Sequence, residues 1–362
     1  MASLPWLAAS VPVSIVTGVL GGALQAREAF GLFNLINVGN VLLSQLIPLG
    51  IAYWHGPELT WLIPAVLIAR AIGAIPTAVA LIRLLPLWVG GGFELSRLRS
   101  LFSYGGWITI TNLLTPVLNT MDRMLIGSVL SAEAVAFYTV PFNLVSRASV
   151  LPGALATSLF PRFSRSSKED SAQLASDAVA ALASVMTPVF VAGLAVLPVF
   201  MQHWVGRSFA QQAAPVGIAL LIGVWVNGLA YIPYGQLQAS GRPDIVAKFH
   251  AVELIPFLAV LWLGLHYFGL VGAAWAWSLR CAVDSLLLFM VGGRIPRWHR
   301  LLPGGILVGA AAWFSPTAVL SSRTIVEIGL LAVAVLWSWN LSPAVRTAVR
   351  QRFGVTSGQA VV

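Results

Sequence analysis

Asn112, Thr115, Asn119 and Asp122 stand at spacings of 3, 4 and 3, in a chain of which only 9% of the residues are charged and 58% are hydrophobic. On a helix these spacings gather the four into one polar stripe, which avoids hydrocarbon. Arg123 is turned about 100° from Asp122 and faces another helix or the headgroups. Asn143 and Arg147 follow the short Ser131-Ala132-Glu133-Ala134 turn. Antiparallel pairing through that turn puts Asp122 level with Asn143 and Arg147 about 6 Å deeper. Two roles are open. An Asp122–Arg147 salt bridge locks the hairpin, or Arg147 contacts a phosphate bidentately while Asp122 holds it in place.

Other charges extend the pattern. Arg70, in IARAIGA, has no acid to pair with on the first three apolar segments, because Glu28 and Glu58 lie near opposite surfaces. Arg280 and Asp284, i and i+4, neutralise each other, and Glu253 pairs with Lys248 or Arg242. Arg70, Arg123, Arg147 and Arg280 against Asp122 and Asp284 predict an interior with more positive than negative charge, which suits an anion.

The elements that must position these residues are set by composition. Mean hydropathy is +0.86, and a soluble domain would carry about 25% charged residues. A bilayer core about 30 Å thick needs about 20 helical residues. Eleven apolar windows fit, at 7–25, 33–54, 60–82, 102–130, 134–161, 174–201, 212–236, 247–267, 270–291, 302–319 and 325–342. The fold class is therefore an all-α integral membrane protein, a polytopic bundle of about eleven transmembrane helices. Pro12, Pro48, Pro76, Pro116, Pro152, Pro188 and Pro256 read as kinks, tolerated where neighbouring helices satisfy the freed carbonyls.

Basic residues collect in alternate loops: Arg27; Arg83, Arg97 and Arg99; Arg162, Arg165 and Lys168; Arg242 and Lys248; Arg294, Arg297 and Arg300; Arg346, Arg350 and Arg352. The positive-inside rule puts these in the cytoplasm with the C-terminus, and the N-terminus outside. No extramembrane segment is long enough to form a basic nucleic-acid-binding face. The single cysteine, Cys281, is a small core residue, the five histidines are interfacial with no metal-ligand spacing, and no GxxxxGK loop is present. Gly18 and Gly22 form a GxxxG, a sign of close helix packing. No cofactor is expected.

An internal repeat organises the chain. Gly22-Ala-Leu-Gln-Ala26 matches Gly235-Gln-Leu-Gln-Ala239 at four of five positions, and an arginine, Arg70 or Arg280, follows each by about 45 residues. Two parallel three-helix units result. Domains are expected at 1–82, a remnant of a first bundle; 83–101, a cytoplasmic linker; 102–292, a six-helix bundle; and 293–362, two further helices and a basic tail.

Residues 103–165 carry the Asp122-Arg123 pair followed by Leu125-Ile126-Gly127, AVAFYTVP at the start of the next helix and LFPRFSR at its end. This stretch resembles the start of the second bundle in polysaccharide biosynthesis flippases of the multidrug/oligosaccharidyl-lipid/polysaccharide exporter superfamily. The resemblance continues weakly through QASGRPD and GLVGAAWAWSLR, to about residue 292. It implies a MATE-like architecture of two six-helix bundles around a central cavity, of which this chain lacks the first three helices. It also implies a non-enzymatic flippase in the bacterial inner membrane that moves lipid-diphosphate-linked sugars by alternating access. Membrane lipid, the lipid-linked glycan and polysaccharide assembly proteins are the implied partners. A cation-coupled drug exporter of the same superfamily would want acidic, aromatic-lined binding, and a glycan polymerase or ligase would carry a large outer loop; both are alternatives.

Overall fold

The computed structural model describes residues 4–56, 58–84, 95–292, 298–315, 322–343 and 345–347. Among these there is no strand. The helices are α1 (Leu4–Ala26), α2 (Phe30–His55), α3 (Leu59–Leu84), α4 (Leu95–Val129), α5 (Ala132–Ser146), a 3-10 turn (Arg147–Ser149), α6 (Val150–Arg165), α7 (Lys168–Val205), α8 (Arg207–Ala239), α9 (Pro243–Val291), α10 (Trp298–Phe314) and α11 (Ser322–Leu341). Each apolar window falls on this helical framework, apart from 316–319, which lie outside the described residues. Eight helical stretches among the described residues are long and apolar enough to cross a membrane. The protein is a polytopic, all-α membrane protein. The seven prolines noted above all lie within helices.

The chain divides into two compact units, Met1–Leu95 and Ser96–Val362. In the first, α1 and α2 both pack on α3 around Leu24, Ala65 and Ala69. The GxxxG expectation is corrected here. A Cβ on Gly18 or Gly22 would meet nothing within 4 Å, whereas Gly21 lies against Phe33 and Gly73 against Asn40. Close approach is set by which face meets the neighbour, and the face with two glycines is not that one. The unit boundary lies inside the stretch expected as a linker, of which residues 85–94 fall outside the described residues, as do Arg294, Arg297, Arg350 and Arg352.

In the second unit α7 and α8 form the centre. Leu182, Met186, Phe190 and Leu194 of α7 and Leu220, Val224 and Ile232 of α8 are fully or almost fully buried. Around α8 pack α5, α6 and α9; α10 and α11 pack on α7. Polar ties cross these contacts. Trp225 donates to Thr187 Oγ1 at 3.3 Å, Gln236 to Ser171 Oγ at 3.1 Å, and Ser278 to the Ala219 carbonyl at 2.8 Å. In hydrocarbon the alternative to each is an unmet polar group.

The 49 residues of α9 are too many for one crossing, and they break at Gly269, whose φ of 60° and ψ of −142° suit only glycine. The chain folds back there. The two arms approach so closely that a Cβ on Gly272 would collide with the Gly264 carbonyl and with Phe268. Gly272→Ala should therefore cost about 1–3 kcal/mol or more by overpacking against backbone that cannot yield, seen as a lower melting temperature in detergent. Gly22→Ala, in open space, should melt like the parent. Equal melting of both variants would contradict the close hairpin.

Candidate functional site

The α4–α5 hairpin is set by Ser131, whose hydroxyl accepts from the Ala134 N–H at 3.0 Å and caps α5. It brings Tyr138 of AVAFYTVP against Asp122, which is 0% exposed. The Tyr138 hydroxyl donates to Asp122 Oδ2 at 2.7 Å, and the Arg123 backbone N–H donates to Oδ1 at 2.7 Å. Arg123 turns back, donating to the Asn119 carbonyl at 2.7 Å with its guanidinium 4.3 Å above the Phe142 ring.

The expected Asp122–Arg147 salt bridge is not formed. Arg147 is exposed on the 3-10 turn. Rotation about the helix decides against it: nine residues beyond Tyr138, at about 100° per residue, Arg147 points from the opposite side of the helix. Asn143 is exposed for the same reason. On α4 the stripe drifts, so Asn112, about 80° from Asp122, is exposed, while Thr115 and Asn119 are half-buried. In the first unit, Arg70, expected to be buried, is exposed on α3.

Thr115 and Asn119 line a cavity of about 210 Å³ within the second unit. From α8 come Asn227, Tyr231 and Tyr234, and from the two arms of α9 come His250, Arg280 and Asp284. The α9 hairpin makes the chemistry. Because its arms run antiparallel from Gly269, His250 faces Asp284 and, one turn on, Glu253 faces Arg280. The His250 Nε2–Asp284 Oδ1 and Arg280 Nη1–Glu253 Oε2 distances are both 3.9 Å. The side chains of Arg280 and Glu253 are only 10% and 5% exposed. Both Glu253 oxygens, Asp284 Oδ1, His250 Nδ1 and Arg280 Nε are buried without a hydrogen-bond partner. Arg280 also lies over Phe257, 5.4 Å from the ring centroid, and near Trp277, at 6.0 Å.

Three expectations change with this geometry. Arg280 and Asp284 do not neutralise each other along one helix; each has a partner on the opposite arm. Glu253 does not pair with Lys248 or Arg242, which both hold Asp244, at 3.0 and 3.1 Å. His250 is not interfacial but 7% exposed inside the cluster. The sign of the interior also changes. The buried charged residues among those described are Asp122, Glu253, Asp284 and Glu327, all acids. Of the arginines expected inside, Arg70 and Arg147 are exposed, whereas Arg123 and Arg280 are half-buried, each with a buried Nε. Asn227, Tyr231 and Tyr234 escaped the sequence reading although their spacing of 4 and 3 marks a polar face on α8.

Removing the Tyr138 hydroxyl should leave Asp122 with one donor fewer, a loss of about 1.5–3 kcal/mol for a hydrogen bond to a charged group. Tyr138→Phe should therefore lower the melting temperature in detergent, while Arg147→Ala should leave it unchanged. The reverse ranking would restore Arg147 as the partner of Asp122.

Comparison with known proteins adds to this geometry. The chain is 29% identical over 284 residues to a putative O-antigen transporter of Shigella flexneri, covering 78% of this chain and 67% of the relative. It is 26% identical over 193 residues to a probable low-salt glycan biosynthesis flippase of Haloferax volcanii, covering 52% and 41%. To the teichuronic acid biosynthesis protein TuaB of Bacillus subtilis it is 23% identical over 280 residues, covering 75% and 55%. The chain thus spans between about two fifths and two thirds of these relatives' lengths. In fold it is similar to the Vibrio cholerae MATE transporter VcmN in its bent form, with a TM-score of 0.64 and 18% identity over 84% of this chain and 70% of that one. A point variant of VcmN matches with the same score over 79% of this chain and 67% of that one. A family model described as polysaccharide biosynthesis protein matches residues 4–214, more than half of the chain, and the protein belongs to that family.

Proposed function

We propose that this protein moves a lipid-diphosphate-linked oligosaccharide, a precursor of cell-surface polysaccharide, across the bacterial inner membrane by alternating access. Family membership and relatives named as an O-antigen transporter and a glycan flippase support the substrate class. The observation that carries the site is Arg280, a guanidinium loosely held at 3.9 Å by Glu253 on the wall of a cavity otherwise lined by amide, hydroxyl and phenol groups, by His250 and Asp284, and by apolar side chains. A planar guanidinium matches phosphate oxygens, and Thr115, Asn119, Asn227 and the two tyrosines offer hydrogen bonds to the headgroup. The cavity of about 210 Å³ has room for a phosphate group.

Asp122 and Arg123 act by holding α4 to α5, and so fix Asn119. Arg147, Asn143, Asn112 and Arg70, exposed on their helices, are proposed contacts for the headgroup outside this cavity. The N-terminus outside and the C-terminus in the cytoplasm follow from the alternation of basic loops. Polysaccharide assembly proteins are proposed partners, and no catalytic step is assigned to the chain. The buried acids favour a second reading, a cation-coupled drug exporter, which would draw cations to Glu253 and Asp284.

In cells deleted for their own copy, Arg280→Ala should lower surface polysaccharide about 10- to 100-fold, the equivalent of losing one charge-assisted contact, with the protein still in the membrane at parental amount. Arg280→Lys should recover part of the loss, because it keeps the charge without the planar fork. Normal surface polysaccharide with Arg280→Ala would move the phosphate contact to Arg147 or Arg70. Efflux of a lipophilic cation that depends on Glu253, with surface polysaccharide unaffected by deletion, would favour the exporter.

A further inference from the structure

We infer that the His250, Glu253, Arg280 and Asp284 cluster takes up a proton when an anionic headgroup enters the cavity, so that headgroup binding and proton binding are linked at one site. The inference rests on the reading of Arg280 as the phosphate contact. It begins from charge. The cluster holds one guanidinium against two carboxyls that are near neighbours, with His250 beside Asp284.

Among the described residues, no other element supplies the missing positive charge. From α4, Asp122 lies within electrostatic reach of Arg280 and adds a further acid. Arg123 is occupied by Asp122, the Asn119 carbonyl and Phe142. Tyr138 of α5 donates to Asp122, Tyr231 and Tyr234 of α8 contribute phenols, and Cys281 of α9 contributes a thiol. Lys248 is held by Asp244 at 3.0 Å, with 59% of its side chain exposed, away from the cluster.

A phosphate entering such a site competes with Glu253 for Arg280. The loser would be a buried carboxylate beside an anion, in surroundings where Coulomb repulsion is poorly screened. The existing Glu253–Arg280 pair is long, at 3.9 Å, so little geometry opposes the exchange. Two groups can restore neutrality. Glu253 can gain an O–H, or His250, one helical turn away, can gain an N–H and become a full counterion to Asp284. In either case one proton leaves the aqueous solution, one O–H or N–H bond forms, and nothing is oxidised or reduced. Linkage is reciprocal. The headgroup should therefore bind more tightly as pH falls, by up to about tenfold per pH unit for one proton.

Isothermal titration calorimetry of the full chain in detergent would test this, with a short-chain prenyl diphosphosugar as ligand. That compound is a diphosphate diester whose two charges stay fixed near neutrality. The same titration is run at one pH in two buffers of different ionisation enthalpy. We expect the apparent enthalpy to follow the buffer, with about one proton taken up, and the dissociation constant to rise with pH. Glu253→Gln combined with His250→Gln should bind with neither dependence. Binding that is lost with Arg280→Ala yet shows no buffer dependence in the parent protein would overturn the linkage and leave the phosphate contact standing. Binding that is absent, or indifferent to Arg280→Ala, would overturn the phosphate contact and the linkage with it.

Discussion

Hydrocarbon offers neither a hydrogen bond nor a counter-charge, so polar groups inside this protein depend on partners that the protein itself supplies, on their own helix or on another. That constraint explains why α9 folds back on itself. On a continuous helix, at 1.5 Å per residue, Glu253 and Arg280 would stand about 40 Å apart. The break at Gly269 makes two facing pairs, His250 with Asp284 and Glu253 with Arg280. Close contact of Gly264 with Gly272 keeps the arms near enough for both pairs to form. Asp122 obeys the same constraint, but its partner is a phenol and a backbone N–H.

These polar groups are joined through aromatic side chains. Arg123 lies over Phe142, the Phe142 ring meets Trp277 edge-on at 5.3 Å between centroids, and Arg280 lies near Trp277. A guanidinium over a ring keeps its charge partly desolvated at small cost. The path links the α4–α5 hairpin to the α9 hairpin, and both border the tightly packed pair α7 and α8. Movement of α9 against α4 would thus be felt at both arginines.

The acid-rich interior and an anionic substrate are reconciled by the position of the charges. Asp122 is fully hydrogen-bonded and closed off, so it acts on the cavity only through distance. Glu253 and Asp284 are different. Their pairs are long and most of their oxygens lack hydrogen bonds, which makes them groups whose partners can be exchanged. Locked polar groups specify the fold, and under-satisfied ones are where a ligand can intervene.

Much of this was legible in the amino-acid order. Apolar length gave helices over the expected windows, because a bilayer leaves backbone groups little alternative. The spacing of Thr115, Asn119 and Asp122 placed them on one side of α4. The Asp122 partner was misread because depth along a helix pair was counted while rotation about each helix was not. Arg147 is on the wrong face of its helix, and Tyr138 is on the face that meets Asp122. The counting rule applied to the α4–α5 hairpin would have brought the stretch around Glu253 to within about a turn and a half of Arg280 had it been applied across Gly269; the i, i+4 relation of Arg280 to Asp284 offered a local answer that hid the distant one. Sequence alone therefore determined the solvent, the helices and the residues too polar for lipid. Which of those residues meet was decided only by tertiary structure, since a contact across two helices depends on where each is rotated and where the chain turns, and neither is a local property of the residues that touch.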